Sequence, residues 1–97
     1  MITIRDIRAI LTDHREELEK TYKVRSIGVF GSYVRSEQKK KSDVDIMVEF
    51  NETPGLLRFV ELEQHLENLL GVKVDLVTKE ALKPRIGKRI LEEVQYL

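Results

Sequence analysis

Two acidic residues lie close together in a short apolar segment near the middle of the chain. Asp43 and Asp45 alternate with apolar residues from Val44 onwards, the period-two pattern of a strand with one buried face. Their carboxylates therefore point to the same side, with the two Cα atoms about 6–7 Å apart. Like charges so placed repel each other, and strands disfavour Asp. A pair of Mg²⁺ ions would offset this cost, because Mg²⁺ prefers carboxylate and phosphate oxygens.

A third acidic residue, Asp75, lies in the next segment with strand-like alternation. The neighbouring apolar residues Val74 and Leu76 point away from it, so Asp75 is on the opposite face of its strand. If the two strands pair, Asp75 reaches the same side of the sheet as Asp43 and Asp45. Three carboxylates there would fit a two-metal phosphoryl-transfer site. Taken alone, each acid is also explained by a solvated position on an edge strand.

A Gly-Ser pair follows the apolar segment that precedes these acids. Gly31 allows a close approach of the backbone to a phosphate, and Ser32 adds a hydroxyl group. If a short helix begins at this point, its free amide groups also favour an anion. A Gly-Ser pair by itself is an ordinary turn in most proteins, so its meaning depends on the acids that follow.

The remaining residues predict the elements that must position these groups. In the first half of the chain, the apolar spacing and the turn residues predict a helix over about 4–21, a strand over 24–30, a short helix over about 32–36 and a polar loop over 36–42. In the second half they predict a strand over 43–50, a helix from Thr53-Pro54 to Gly71 and a strand over 72–77. A last helix is predicted after Pro84, with the apolar residues Ile86, Ile90, Val94 and Leu97. This order predicts an α+β fold with a small mixed β-sheet packed against helices. Residues 1–97 are expected to form a single domain.

The composition restricts the class of protein further. The chain has 17 basic and 17 acidic residues, and this balance argues against nucleic-acid binding as its main role. It has no cysteine, so neither a disulfide framework nor a thiolate metal site is possible. Its apolar runs are short and its N-terminus lacks a signal-peptide pattern, so we expect a soluble, cytoplasmic protein that does not bind a membrane.

These motifs together resemble those of a known superfamily. The order Gly31-Ser32, ten residues, Asp43-Val44-Asp45 and later Val74 to Val77 resembles the nucleotidyltransferases related to DNA polymerase beta. Within that superfamily the chain is similar, nearly end to end, to the minimal nucleotidyltransferases. These small prokaryotic proteins are often encoded beside a HEPN-domain partner as toxin–antitoxin pairs. One position departs from the pattern, since Ser36 stands where many members have Gly.

The resemblance implies roles for the individual residues. Asp43 and Asp45 would bind two Mg²⁺ ions, while Asp75 would bind the catalytic ion and help to deprotonate an acceptor hydroxyl. ATP would be the substrate and pyrophosphate the leaving group. The implied contacts to its phosphates come from Gly31, Ser32 and Arg35.

The acceptor of the nucleotide is expected on another macromolecule. A 97-residue chain has little room for an acceptor-binding module of its own. The resemblance implies transfer of AMP to a hydroxyl of a partner protein, by an antitoxin that neutralises a HEPN ribonuclease toxin. Two alternatives stay open: an antitoxin that acts only by steric binding, and nucleotidyl transfer to RNA or a small molecule.

Overall fold

The computed structural model describes residues 2–39, 41–81 and 92–97. These residues form a mixed β-sheet that packs against helices. The elements in chain order are α1 (Ile4–Asp13), α2 (Arg15–Tyr22), β1 (Val24–Phe30), β2 (Val44–Phe50), α3 (Leu56–Leu70), β3 (Val74–Thr78) and β4 (Gln95–Tyr96). Residues 79–81 and 92–93 are also helical. Within these ranges, no helix is long and apolar enough to cross a membrane.

The four strands of the described sheet lie in the order β3-β2-β1-β4. β1 pairs antiparallel with both β2 and β4, whereas β2 and β3 are parallel and are connected through α3. A parallel pair needs such a crossover connection, and a helix is the usual one. The structure therefore confirms the predicted α+β class with a small mixed sheet.

The two faces of the sheet differ in how they are covered. The main core lies between one face and the helices, and its fully buried members include Val44, Ile46 and Val48 of β2. Among the described residues, the opposite face carries a smaller cluster, formed by Phe30, Met47 and Val94, with Val77 packed against it. Asp45 shares this second face, because side chains alternate along β2. The predicted split of β2 into an apolar and an acidic face is confirmed.

The N-terminal segment forms two helices, so the prediction of one helix over 4–21 was wrong. His14 separates α1 from α2 with φ −103° and ψ 8°, outside the helical range. Its ring Nδ1 lies 2.9 Å from the carbonyl oxygen of Ile10, whose oxygen also accepts the His14 N–H at 3.2 Å. Leu11 and Leu18, on either side of the break, are both buried. The apolar spacing continues across the break and therefore does not reveal it.

The third helix begins later than the sequence predicts. Its N-cap is Gly55 rather than Thr53, and α3 shows no side-chain capping hydrogen bond in the described structure. Assigned helix ends commonly differ by one or two residues, and Phe59, in the first turn, packs against Phe50. The predicted end is confirmed, because Gly71 adopts the left-handed C-cap conformation with φ 73°.

The C-terminal residues differ most from the prediction. Ile86 and Ile90 of the predicted last helix lie outside the described residues. Val94 and Leu97 were assigned to the same helix, and this was wrong, because the chain leaves the helical conformation at Val94 and forms β4. The free edge of β1 supplies the backbone partners, and the Leu97 N–H donates to the Ile27 carbonyl oxygen at 3.0 Å.

Close packing of β4 on β1 predicts that Gly28→Ala destabilises the protein. A Cβ on Gly28 would lie 2.5 Å from Val94 Cγ1 and 3.2 Å from the Gln95 carbonyl oxygen, so β4 would have to move. We expect a loss of about 1–3 kcal/mol in the free energy of unfolding, measured by urea denaturation. Gly55→Ala is the matched control, since within the described residues its Cβ would meet nothing closer than 4 Å. Equal stabilities of the two variants would contradict the prediction.

Candidate active site

Two of the three predicted acids lie side by side on adjacent strands. The parallel register of β2 and β3 pairs Asp45 directly with Asp75. Paired residues on neighbouring strands point to the same face, and the strands are about 4.8 Å apart. Asp43 lies just before β2, two residues from Asp45. The structure therefore brings Asp45 and Asp75 together on the face opposite the helices.

The environment of Asp45 disfavours its negative charge. Partial burial, and then the charges of Asp75 and Asp43, raise the pKa of Asp45 from 3.8 to about 6. Arg35 acts in the opposite direction but does not cancel these effects, and Glu93 adds to them. A carboxylate that is partly desolvated and surrounded by other carboxylates is stabilised by a cation. The site therefore has the electrostatic character of a cation-binding site.

The acids do not form a complete metal cage. In the part of the chain that the structure describes, no three His, Cys, Asp or Glu side chains are grouped closely enough to hold a metal ion. Mg²⁺ seldom needs such a cage, because it keeps several waters and binds through one or two carboxylates together with substrate phosphates. The oxygen ligands of Asp45 and Asp75 suit this ion. The residues thus fit a Mg²⁺ site that is completed by the nucleotide.

Gly31 lies directly against the carboxylate of Asp45. A Cβ on Gly31 would be 2.1 Å from Asp45 Oδ2, closer than atoms can approach. The contact arises because the end of β1 pairs with the start of β2, where Phe30 is the partner of Asp45. Gly31 also has φ 81°, a conformation that other residues rarely adopt. Only glycine meets both requirements, so the turn and the acid form one structural unit.

Residues 32–36 form hydrogen-bonded turns, and the regular short helix predicted there was wrong. The Gly31 carbonyl oxygen accepts the N–H groups of Val34 at 3.1 Å and Arg35 at 3.2 Å. The Ser32 carbonyl oxygen accepts the Glu37 N–H at 2.8 Å. Ser36 has φ 58°, in the left-handed region that favours glycine. This conformation explains why Gly suits the position, and nothing in the structure explains the Ser found there.

The loop before β2 is fastened to the core by a buried tyrosine. Tyr33 is only 2% exposed, and its hydroxyl donates to the Ser42 carbonyl oxygen at 3.5 Å. Burial, and then the charge of Asp43, raise the pKa of the Tyr33 phenol. The Ser42 Oγ in turn accepts the Lys39 N–H at 2.8 Å. These contacts fix the position at which the chain enters β2 and thereby place Asp43.

Arg35 reaches the site together with a residue that the sequence did not indicate. Its Nη1 donates to both carboxylate oxygens of Glu93, at 2.9 and 3.1 Å, and its Nε donates to Glu37 at 3.1 Å. Glu93 also accepts the N–H of Gly31 at 3.2 Å. A single Glu near the end of a predicted helix has no spacing signal, and 62 residues separate it from Gly31. No local pattern in the sequence therefore indicates this contact.

Comparison with known proteins identifies the class to which this fold and site belong. The nucleotidyltransferase domain family matches residues 11–97, so the chain belongs to the nucleotidyltransferase family and is an enzyme of that class. The protein adenylyltransferase MntA of Thermococcus cleftensis is 57% identical to it over 97 residues, which cover 100% of this chain and 98% of that protein. The resemblance inferred from the motifs is thereby confirmed.

Solved structures show the same fold. One is a chain in the crystal structure of a toxin–antitoxin pair with AMP-PNP; it has a TM-score of 0.70 and 27% identity, and the match covers 87% of this chain and 69% of that chain. Another comes from the complex of a tri-AMPylated Shewanella oneidensis HEPN toxin with its MNT antitoxin. It has a TM-score of 0.66 and 23% identity, with 93% of this chain and 70% of that chain covered. The polymerase beta-like nucleotidyltransferase fold is confirmed.

Proposed function

We propose that this protein is a Mg²⁺-dependent protein adenylyltransferase that moves AMP from ATP to a hydroxyl group of a partner protein. The observation that carries the proposal is the pairing of Asp45 with Asp75 beside the turn at Gly31. Carboxylates next to a backbone that can approach phosphates closely are what nucleotidyl transfer requires. The relationship to a protein adenylyltransferase that is 57% identical supports AMP as the group transferred.

In this proposal, some residues of the chain would bind the nucleotide and others would act on the acceptor. The Gly31 N–H, the Ser32 hydroxyl and Arg35 would hold the β- and γ-phosphates. Asp43, Asp45 and Asp75 would hold two Mg²⁺ ions, which when bound would neutralise charge on the phosphate oxygens.

The exposure of Asp75 supports a role for this residue at the acceptor. It is exposed and lies on β3, an edge strand of the described sheet, whereas Asp45 is half-buried beside the turn. Asp75 would take the proton of the acceptor hydroxyl while the hydroxyl oxygen forms a bond to the α-phosphorus. The bond between the α-phosphorus and the bridging oxygen to the β-phosphate breaks, and pyrophosphate leaves. An exposed edge gives a macromolecular acceptor access to this carboxylate.

The proposed partner is a HEPN ribonuclease toxin, with this protein as its antitoxin. The resemblance to the minimal nucleotidyltransferases supports the assignment, as does the likeness to a chain of a toxin–antitoxin pair with AMP-PNP. Residues 1–97 would act as one domain, and the site of action would be the cytoplasm, where ATP and the toxin are available. The zero net charge argues against RNA as the acceptor.

Incubation with radiolabelled ATP, Mg²⁺ and the product of the neighbouring gene tests the proposal. We expect label on the partner with the wild type and none with the double variant Asp43→Asn, Asp45→Asn, because the metal-binding charge is lost. Glu49→Gln is the control, since it removes one charge from the same face of β2 and leaves both acids in place. Protection by the double variant without any transfer of label would show a steric antitoxin instead.

A further inference from the structure

The carboxylate of Glu93 occupies the groups that the proposed function assigns to the triphosphate. Both of its oxygens accept from the Arg35 guanidinium, and one also accepts the Gly31 N–H. The Glu93 side chain is 20% exposed, so it is partly enclosed at the site. A phosphate binds an arginine and a backbone amide in the same way, through two anionic oxygens. Glu93 thus resembles a bound phosphate in both charge and contacts.

Glu93 and a triphosphate cannot use these donors together. In the proposed function the triphosphate would accept from the Gly31 N–H and from Arg35, the donors that Glu93 holds, so one anion must leave before the other binds. Glu93 also adds negative charge near Asp45, where a triphosphate would bring more. Two anions at contact distance in a partly enclosed site repel each other strongly. The contacts of Glu93 and those proposed for a triphosphate are therefore mutually exclusive.

The backbone next to Glu93 is held by β4 and by contacts with α1 and α2. β4 has only two residues and two register pairs with β1, at Gly28 and Val29. Val94 adds an apolar contact with the smaller cluster, and the Leu97 N–H bonds to the Ile27 carbonyl oxygen. Arg8 donates to the Gln95 side chain and Arg15 to the Leu97 carbonyl oxygen, and Leu97 packs against the main core. Glu93 can therefore release the Gly31 N–H and Arg35 by rotation about its own side-chain bonds, while the segment stays in place.

We propose that Glu93 competes with the nucleotide within the same molecule. The Glu93 carboxylate occupies the phosphate subsite at Gly31 and Arg35 until a triphosphate displaces it. The inference rests on the proposed function for the location of the triphosphate. Its consequence is that the apparent affinity for nucleotide is lower than the intrinsic affinity, by the fraction of molecules in which Glu93 has withdrawn. The same contact would close the subsite again after pyrophosphate leaves.

The affinity of Glu93→Gln for AMP-PNP with Mg²⁺, measured by isothermal titration calorimetry, tests this competition. Gln keeps the size of the side chain but removes the charge that binds Arg35, so we expect a Kd about tenfold lower than that of the wild type. The matched control is Glu92→Gln, which removes the same charge from the exposed neighbouring residue. Its Kd is expected within about twofold of the wild-type value, since general repulsion is largely screened by salt.

A second pair of variants separates competition from a merely structural role. In an Arg35→Ala background the competitor loses its main partner, so adding Glu93→Gln should change the Kd by less than about twofold. An unchanged or higher Kd for Glu93→Gln alone would overturn the competition and make Glu93 a residue that positions Arg35. If folded wild-type protein and every variant fail to bind AMP-PNP, the proposed function itself is overturned. Circular dichroism spectra establish that each variant is folded.

Discussion

Asp45→Asn is expected to slow AMP transfer to the partner by about a hundred- to a thousandfold, while it stabilises the protein in the absence of Mg²⁺ and nucleotide. The loss of activity follows from the loss of the central carboxylate, which contacts the turn at Gly31 and is paired with Asp75. The gain in stability follows from the same position. Asn has the shape of Asp but none of the charge that burial and the neighbouring acids disfavour.

The pH dependence gives this expectation a definite sign. The pKa of Asp45 is about 6 in the folded protein and 3.8 as an ordinary carboxyl, so the folded state binds the proton more tightly. Its contribution to stability is fully present below about pH 4 and is lost as the pH rises through about 6. Asn has no such loss. The advantage of Asp45→Asn should therefore grow between pH 4 and 7 and reach roughly 1–3 kcal/mol, allowing for partial exposure.

Urea denaturation at several pH values between 4 and 7.5, without Mg²⁺, measures this difference. Glu52→Gln is the control, because it removes a charge from an exposed position beyond the end of β2 and should show no comparable trend. Added Mg²⁺ with AMP-PNP should then stabilise the wild type more than Asp45→Asn. The prediction is contradicted if Asp45→Asn is less stable than the wild type at pH 7, or if the difference in the free energy of unfolding is the same at every pH. Either result would show that the charge of Asp45 does not destabilise the folded protein.

Much of the candidate site follows from the pattern around two strands. Alternation of apolar and acidic residues from Asp43 to Phe50 places Asp45 on the face away from the core, and the structure confirms this. A helix between two strands favours their parallel pairing, and this allows Asp75 to reach the same face. The register that pairs Asp45 with Asp75 is not contained in either strand alone. It depends on how α3 packs across the sheet.

The features missed by sequence reasoning depend on contacts between distant parts of the chain. Val94 has the spacing of a helical core residue, but the residues that follow it pair with the open edge of β1 and form β4. Glu93 is brought to Gly31 only by that pairing. The break at His14 was missed for a different reason, because the apolar spacing is the same on both sides of it. Local patterns predict elements and faces, whereas edges and long-range partners require the fold.

Among the glycines that the structure describes, Gly31 is the one at which Gly→Ala is expected to have the largest combined effect on stability and activity. The added Cβ would overlap Asp45 Oδ2 at 2.1 Å, and the backbone at φ 81° is unfavourable for alanine. Strain and overlap together should lower the free energy of unfolding by roughly 2–5 kcal/mol. The methyl group would also displace the Asp45 carboxylate and block the approach of a phosphate. Transfer of AMP should therefore fall by at least about a hundredfold.

Gly71→Ala separates the two causes, because the chain contains a second glycine with nearly the same conformation. Gly71 has φ 73°, but among the described residues nothing lies within 4 Å of the position that its Cβ would take. It should lose only the backbone contribution, about 1–2 kcal/mol, and retain normal transfer. In an Asp45→Ala background the contacts at 2.1 and 3.0 Å are removed and only the Cβ of that residue, at 3.3 Å, remains, so Gly31→Ala should then destabilise only slightly more than Gly71→Ala does. If Gly31→Ala destabilises equally in both backgrounds, then strain at the turn, rather than contact with Asp45, is what requires glycine there.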